Sequence, residues 1–193
     1  MKKVDKNDIL SVEQWERVRP VLRPLFIHEK ERRRLAVGSH LTFLFENTAT
    51  VWYQIEEMIR SERLTDAGAI QHEIDTYNEL IPARGEISAT LLIEFSEVKE
   101  REAALRRLIG IEKHLWLRLG DARVPLLFDE RQMSPERVSS VQFVRFNVAK
   151  DTAAFLALAQ SDQVSIVADH PNLGAQAFIN NDLARSLGED LGD

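Results

Sequence analysis

Histidines that stand next to carboxylates are the residues of this chain best suited to chemistry, because imidazole and carboxylate groups bind iron, manganese and zinc. His28-Glu29 and His72-Glu73 each begin like the His-Glu-x-x-His helix of a zinc protease. Four residues after each histidine stand Arg32 and Thr76, where that motif needs a second histidine. Both are half-motifs, so neither predicts a zinc protease.

A metal site assembled from separate elements is the remaining enzymatic alternative. Its candidate ligands have imidazole or carboxylate side chains and fall on neighbouring predicted elements: His40, Glu46, Glu57 and His72. Such a set would suit iron, manganese or zinc. Its spacing is irregular, however, and the chain has no Glu-x-x-His pair of the kind that builds a di-iron helix bundle. We therefore expect no cofactor, and keep a metal-dependent enzyme as the alternative.

The chain contains no cysteine, which removes several other chemistries. There is no disulfide, thiolate nucleophile, cysteine-ligated zinc or iron–sulfur cluster to consider. The sequence also has neither a glycine-rich dinucleotide loop nor a phosphate-binding loop, and Gly38-Ser39-His40 lacks the five-residue frame of a nucleophile elbow. A redox role would need a non-sulfur metal site, an organic cofactor or a partner that carries the redox centre.

Length and composition predict one soluble globular protein. The chain has 193 residues, of which 44% are hydrophobic and 29% charged, and a domain averages about 150 residues. No apolar run approaches the roughly 18 residues that a membrane helix needs, and the first residues do not read as a signal peptide. We therefore expect a cytoplasmic protein that does not enter a membrane.

Charge is distributed unevenly along the chain. The net charge is −6, which argues against a nucleic-acid binder. Residues 1–34 nevertheless hold ten Lys and Arg against six Asp and Glu, with the excess gathered at residues 30–34. This basic cluster is interpreted first as a solvated helix face. The alternative is an anion or nucleic-acid docking patch at Arg32–Arg34, because arginine pairs with carboxylates and phosphates.

An N-terminal helical segment is predicted over residues 1–38, ahead of an α+β domain over 39–193, the two forming one continuous unit. Ser11-Val12-Glu13-Gln14 matches a capping box, so a helix begins near residue 12. Its apolar face comprises Trp15, Val18 and Leu22. Pro20 and Pro24 are expected to interrupt it, with a second helix from Pro24 to near Gly38.

A hairpin is predicted next. His40–Phe45 alternates like a strand, Asn47-Thr48 forms the turn, and Thr50–Tyr53 returns as the second strand. Gln54–Leu64 then reads as a helix, with Glu56 and Arg60 as an exposed ion pair. In this arrangement Glu46 is solvated beside the turn, and His40 bonds a neighbouring carbonyl.

The rest of the chain alternates short helices and strands. Helices are predicted at 67–81, from Ser96 to Gly110, after an Asp151 cap, and at 181–187, and strands at 89–95, 115–119, 124–128, 141–148 and 164–168. Pro125 assigns its strand to a sheet edge, and Asp169-His170-Pro171 reads as a turn. Without a repeating strand–helix–strand rhythm, the pattern favours an α+β fold, with helices packed on a mostly antiparallel sheet built from hairpins.

Six polar residues fall around the most distinctive stretches and could converge on a ligand pocket if the hairpin packs on both adjacent helices. They are His28, Arg33, His40, Tyr53, Glu57 and Asn78.

Two blocks carry a family resemblance: Tyr53-Gln54-Ile55 with Glu57-Met58, and Tyr77-Asn78 with Leu80-Ile81-Pro82. Further matching positions include Gly38, His40, Phe45-Glu46, Ala89-Thr90, Trp116-Leu117, Ser139–Phe143 and Asp169-His170-Pro171. Over nearly its whole length the chain resembles the bacterial family catalogued as domain of unknown function three-five-zero-one. It departs from the common pattern at Ser39 and Glu79, where members often have proline.

The resemblance implies no reaction, cofactor or catalytic residue, because none is assigned to the family. Genes of this family tend to lie beside those of a rubrerythrin-like protein and a cysteine-rich iron–sulfur oxidoreductase, which implies a role in redox or peroxide defence. A cysteine-free chain fits an accessory protein whose partner holds the redox centre. We therefore expect a cytoplasmic accessory or binding protein that forms a homodimer, and the metal-dependent enzyme remains the alternative.

Overall fold

The computed structural model describes residues 1–149, 152–158 and 163–192. The helices of this part of the chain are α1 Val12–Arg32, α2 Thr48–Glu62, α3 Ala67–Asn78, α4 Val98–Arg107, α5 Thr152–Leu158 and α6 Asn181–Gly192. Its strands are β1 Arg34–Val37, β2 Leu41–Phe45, β3 Glu86–Ile93, β4 Leu115–Leu119, β5 Ala122–Phe128, β6 Val141–Asn147, β7 Val164–His170 and β8 Leu173–Phe178. The predicted α+β fold is confirmed.

The eight strands form one antiparallel sheet in the order β1-β2-β3-β6-β5-β4-β7-β8. The sheet curls until its first and last strands meet, because β1 contacts both β7 and β8. The result is a nearly closed barrel. Its interior holds the larger core, in which Phe43, Phe45 and Phe146 from the strands pack with Leu183 and Leu187 of α6.

A second, smaller core lies outside the barrel. Ile55 and Ile59 of α2 pack there with Ile74 of α3, the N-terminal Val4, and Phe143 on the outer face of β6. Helix α1 lies across α2 and forms the outermost layer. The outer face of β2 and β3 is therefore covered by helices, and polar residues on that face become buried.

Helix α1 is continuous, so the predicted break at the prolines is wrong. Pro20 and Pro24 are both exposed, and each removes one backbone hydrogen bond on the solvent side of the helix. On the opposite side, packing against α2 on both sides of the prolines holds the helix together: Trp15 lies 5.5 Å and Phe26 lies 5.6 Å from the ring of Trp52. The predicted extension to Gly38 is also wrong, because 34–37 form β1 with alternating burial.

The predicted hairpin is half right. Strand β2 is present, but it pairs with β1 before it and with β3. The segment predicted as the second strand is the first part of α2, because Asn47 caps that helix. The Asn47 side chain accepts the Thr50 N–H at 2.9 Å, and the Thr50 hydroxyl accepts the Asn47 N–H at 3.0 Å. This reciprocal pair is a capping box.

Strand β5 is internal, so the assignment of Pro125 to a sheet edge is wrong. Pro125 pairs with Trp116 at the last position that β5 shares with β4, and pairing with β6 begins at Leu126. The proline lies where the strand passes from one partner to the other, a position at which a missing donor is tolerated.

Several smaller predictions are settled at the C-terminal end. Strand β8 was not predicted. It follows a turn at Pro171-Asn172. The turn was predicted at residues 169–171, but Asp169 and His170 belong to β7. Asp151 lies outside the described residues. The division at residue 38 remains a prediction and coincides with the turn between β1 and β2. None of the described helices is both long and apolar enough to cross a bilayer.

Candidate functional site

A small polar pocket of about 320 Å³ lies on the outer face of β2 and β3, beneath the C-terminal half of α1 and the start of α2. Its polar lining consists of Lys30, Glu46, Thr50, Gln54 and Thr90. Its apolar lining consists of Leu44, Phe45, Leu92 and Val141. The volume is at the lower end of the range for small-molecule sites.

Glu46 forms the floor of this pocket and is only 5% exposed. The Thr50 hydroxyl donates to Oε2 at 2.6 Å, and the Thr90 hydroxyl donates to Oε1 at 2.8 Å. The backbone N–H of Glu46 donates to the Ser88 carbonyl at 3.0 Å. Both carboxylate oxygens are thus fixed in direction, as recognition of a ligand group requires.

Local sequence explains this arrangement. Glu46 directly follows β2, and Thr50 lies in the first turn of α2, four residues later. Thr90 is on the neighbouring strand, where it pairs with Leu44. The prediction that Glu46 is solvated is wrong because a helix, and not a hairpin turn, follows it and covers its side chain.

The pocket also contains a cation. Lys30 lines it from the last turns of α1, and its Nζ lies 5.4 Å from the centroid of the Tyr53 ring. Among the described residues, none forms a salt bridge with the Glu46 carboxylate, whose two oxygens each accept from a threonine hydroxyl. The pocket is therefore lined by a fixed carboxylate, from Glu46, and by one cationic residue, Lys30.

Arg33, a predicted pocket residue, is buried in the barrel wall, where it links two secondary-structure elements. Its side chain is 1% exposed. The guanidinium donates to the Phe45 carbonyl at 2.9 Å and to the Ser186 hydroxyl at 2.7 Å, and it forms an ion pair with Asp190. The guanidinium also donates to the backbone carbonyl of Glu46 at 3.2 Å. These bonds tie α6 to the end of β2, and Arg33 itself is not among the residues that line the Glu46 pocket.

Tyr53 and Glu57 belong to the contact between α1 and α2. The Tyr53 ring stacks on Phe26 with centroids 4.7 Å apart. Glu57 accepts the indole N–H of Trp15 at 3.0 Å and two bonds from Arg19 at 2.6 and 2.9 Å. Burial raises the pKa of Tyr53, while the Arg19 hydrogen bonds lower the pKa of Glu57.

Asn78 and His28 lie apart from both groups. Asn78 is buried and holds the N-terminal segment: its Oδ1 accepts the Val4 N–H at 2.9 Å, and its Nδ2 donates to the Val4 carbonyl at 2.8 Å. His28 is exposed on α1. The structure thus brings Tyr53 and Glu57 together and distributes the other four predicted pocket residues over separate places.

His40 lies in a different cleft, of about 690 Å³, at the opposite end of β2. Its ring stacks on Phe95 with centroids 4.0 Å apart, and Nδ1 lies 3.0 Å from the Glu94 carbonyl. The predicted bond to a carbonyl is confirmed. Because a carbonyl only accepts, Nδ1 is the donor in this bond, and Nε2 is the ring nitrogen left for a ligand.

The four alternative metal ligands do not share one place. His40 and Glu46 flank β2 and are six residues apart, which is about 20 Å along a strand. Glu57 is bonded to Arg19 on the helical side, and His72 is exposed on α3. In residues 1–149, 152–158 and 163–192, no three His, Asp or Glu side chains are grouped so that they could hold a metal ion.

The basic cluster at Arg32–Arg34 is not a continuous outward patch. Arg33 is buried, whereas Arg32 and Arg34 are exposed and lie near Glu29 at 3.7 Å and Glu94 at 3.6 Å. Each arginine of the triplet thus has a carboxylate partner within the chain.

Glu56 also differs from its prediction as part of an exposed pair. It is 1% exposed and accepts the Leu10 N–H at 2.8 Å, while Arg60 pairs instead with Glu16 at 2.7 Å. Oε2 of Glu56 has no hydrogen-bond partner among the described residues. Burial raises the pKa of Glu56 to about 7.

A larger groove of about 590 Å³ runs between α3 and the β5–β6 strands. Both arginines that line it form ion pairs: Arg131 pairs with Asp129 and Glu79 inside the groove, and Arg145 pairs with Glu86, which lies outside its lining. This groove offers mainly apolar surface beneath paired charges.

Sequence reasoning missed Thr50, Gln54 and Thr90 as lining residues of the Glu46 pocket. A signal was available, because Glu46, Thr50 and Gln54 are spaced four residues apart and would share one helix face. Reading 50–53 as a strand concealed this spacing.

Comparisons with known proteins agree with the architecture. The chain matches the family described as "Protein of unknown function (DUF3501)" over residues 3–191. The chain belongs to this family, as the sequence resemblance predicted. It is also similar to a solved structure, a crystal structure of a novel protein of unknown function from Burkholderia pseudomallei K96243. The two are 36% identical with a TM-score of 0.89, over 98% of this chain and all of the other. No curated protein matches.

Proposed function

We propose that this protein is a cytoplasmic, non-enzymatic binding protein whose Glu46 pocket takes a small zwitterionic amine, such as a free amino acid. The observation that carries the proposal is the buried Glu46 carboxylate, which two threonine hydroxyls fix in a pocket of about 320 Å³. The Glu46 carboxylate has no salt-bridge partner in the part of the chain that the structure describes, and a ligand ammonium group would provide one. Buried charges are normally paired in this way.

Lys30 gives the proposal its second contact. Lys30 lines the same pocket, and its ammonium group, 5.4 Å from the centroid of the Tyr53 ring, would attract the carboxylate end of the ligand. The Gln54 amide, on the same wall, can both donate and accept. A ligand with one positive and one negative end therefore matches the pocket better than a simple cation or a simple anion does.

The test is isothermal titration calorimetry of the purified protein with individual free amino acids. We expect heat of binding for at least one of them, and loss of that heat in Glu46→Gln. The matched control is Glu94→Gln: Glu94 also accepts a threonine hydroxyl at 2.6 Å, but it is half exposed and lies 3.6 Å from Arg34. Lys30→Met should weaken binding of the ligand carboxylate but keep the contact between the ligand ammonium group and Glu46. Absence of heat with every amino acid, or equal loss in both Glu variants, would contradict the proposal.

The accessory role is a separate part of the proposal. The family's gene neighbours support a partner that carries an iron–sulfur cluster or resembles rubrerythrin, and a chain without cysteine agrees with this division of labour. Purification at native expression should recover that partner together with this protein. Repeated recovery of the protein without it would count against the accessory role and leave the ligand site to its own test.

The metal-dependent enzyme is kept as a second candidate because of one observation: the available Nε2 of His40 in its cleft. It predicts stoichiometric metal in protein purified without chelator, and loss of that metal in His40→Ala with the fold intact. Metal-free wild-type protein from medium supplemented with iron, manganese and zinc would end this candidacy.

A further inference from the structure

Helix α1 carries an apolar stripe that is exposed to solvent. Val18, Val21 and Leu25 are 37%, 71% and 61% exposed, although Val18 was predicted to lie on the buried face with Trp15. The side of α1 that faces α2 is formed instead by Trp15, Arg19 and Phe26. Contiguous exposed apolar side chains of this kind mark an interaction site.

The stripe has the spacing of a coiled-coil seam. Alternating steps of four and three residues connect Gln14, Val18, Val21, Leu25, His28 and Arg32. This is the heptad rule for two helices that pack knobs-into-holes. The seam runs nearly the full length of α1, which has 21 residues, and is apolar at its centre and polar at both ends.

We propose that the partner of this seam is α1 of a second copy, packed antiparallel. In an antiparallel pair centred on residue 23, Val21 meets Leu25 of the second copy, and Gln14 meets Arg32. On one flank Leu22 meets its own counterpart, and on the other Arg17 meets Glu31. All of these side chains except the half-buried Leu22 are exposed.

Charge supports this orientation. Arg17 and Glu31 have opposite charges, and within the described chain neither forms a salt bridge, so both are available for the second copy. Symmetry would form this pair twice. A parallel pair would instead place Arg32 against Arg32 and leave Arg17 beside Leu22, and like charges at a helix interface are unfavourable. The antiparallel homodimer is therefore the arrangement that satisfies both the apolar centre and the charged ends.

The first test is sedimentation velocity over a wide range of protein concentration. We expect a concentration-dependent dimer for the wild type and a monomer for Val21→Glu combined with Leu25→Glu. The control is Val98→Glu, because Val98 is also 61% exposed but lies on α4. A wild-type monomer at every concentration, or an equal effect of the control, would overturn the proposal.

A charge exchange tests the register. Arg17→Glu alone should raise the dimer dissociation constant about tenfold, since two exposed pairs turn from attraction into repulsion. Adding Glu31→Arg should restore the wild-type value. No rescue in the double variant would overturn the proposed register, because a merely structural role of either residue would not be repaired by the other.

Cysteine cross-linking tests the relative direction of the two helices. Because the sequence has no native cysteine, only the introduced residues can form a disulfide. Val21→Cys and Leu25→Cys proteins, each oxidised alone, should give little cross-linked dimer. Mixed and oxidised together, they should form a disulfide between the two variants. Efficient cross-linking of each variant with itself would indicate parallel helices and contradict the proposal.

Discussion

Two adjacent carboxylates on α2 have opposite responses to pH. Burial raises the pKa of Glu56 to about 7 from 4.5, whereas hydrogen bonds from Arg19 lower the pKa of Glu57. The folded protein therefore binds a proton at Glu56 more readily than the unfolded chain does, and at Glu57 less readily. By linkage, Glu56 lowers stability as pH rises from 4.5 to 7, and Glu57 lowers it as pH falls through its depressed pKa.

Glu56→Gln is expected to stabilise the protein above pH 7. The variant keeps the acceptor for the Leu10 N–H and removes a buried charge, and the shift corresponds to about 3 kcal/mol at most. The advantage should shrink towards pH 5, where Glu56 is protonated. Urea unfolding of both proteins between pH 5 and pH 8 measures this difference. A difference in unfolding free energy between variant and wild type that stays constant from pH 5 to pH 8 would contradict this prediction.

Glu57→Gln should behave in the opposite sense. At neutral pH it loses the charge-assisted bonds from Arg19, so we expect a loss of about 1 kcal/mol for this partly exposed pair. The loss should become smaller as pH falls through the depressed pKa of Glu57. The same urea series serves as the measurement, and a loss that grows on acidification would be inconsistent with an ionised, Arg19-bonded carboxylate.

The limits of sequence reasoning at this scale are clearest at Arg33. An arginine between two other arginines, Arg32 and Arg34, indicates a charged surface, yet the Arg33 side chain is 1% exposed. The partners that permit burial, Ser186 and Asp190, lie 153 and 157 residues away. No local pattern could predict them. The carbonyl bond of His40, by contrast, was predictable because it follows from a position at the start of a strand.

At the scale of elements, Arg33 fastens α6 to β2. Arg33→Ala should lower the free energy of unfolding by about 3 to 5 kcal/mol, because it removes a buried guanidinium that bonds the Phe45 carbonyl and the Ser186 hydroxyl and pairs with Asp190. Arg34→Ala is the matched control: its partner Glu94 is 3.6 Å away and both are half exposed, so the loss should stay below about 1 kcal/mol. Chemical denaturation compares the two. Similar losses of unfolding free energy in the two variants would show that Arg33 does not link α6 to β2.

Asn78 fastens the N-terminal segment in a similar way. Asn78→Ala removes both bonds to the Val4 backbone, so amide exchange should accelerate in residues 1–11 while the barrel stays protected. Asp75→Ala is the control, since Asp75 is exposed on the same helix and accepts one bond from Gln71. Hydrogen exchange followed by mass spectrometry separates the cases. Unchanged exchange near Val4 would contradict the assignment.

Elements with a clear period were predicted, and those decided by caps or distant pairing were not. Helix α3 and strands β3, β4 and β6 follow their apolar patterns. Residues 50–53 alternate like a strand, but the Asn47–Thr50 capping pair makes them helical. β8 was missed because its small residues alternate only weakly, and its pairing with β7 decides its structure.

For the whole molecule, the contact that closes the barrel is expected to contribute to the free energy of unfolding. The turn between β1 and β2 packs against β8: Gly38 has φ +64°, and a Cβ there would lie 2.8 Å from the Cβ of Ala175. Gly38→Ala should therefore destabilise the protein more than Gly110→Ala. Gly110 has φ +95° but open space around it, so its substitution costs only backbone strain, about 1 kcal/mol. Thermal unfolding of both variants measures the difference, and equal losses would show that contact with β8 adds nothing.

The fastening of β2 by α6 also bears on the order of events during synthesis. Arg33 is translated about 150 residues before Ser186 and Asp190, so the ribosome exposes a cation whose binding partners do not yet exist. The Leu183 and Leu187 side chains that complete the inner core arrive equally late. The growing chain therefore holds an open sheet with an unfilled interior until α6 emerges. Exposed apolar strands of this kind are what chaperones bind, so we expect the growing chain to need shielding until α6 has docked.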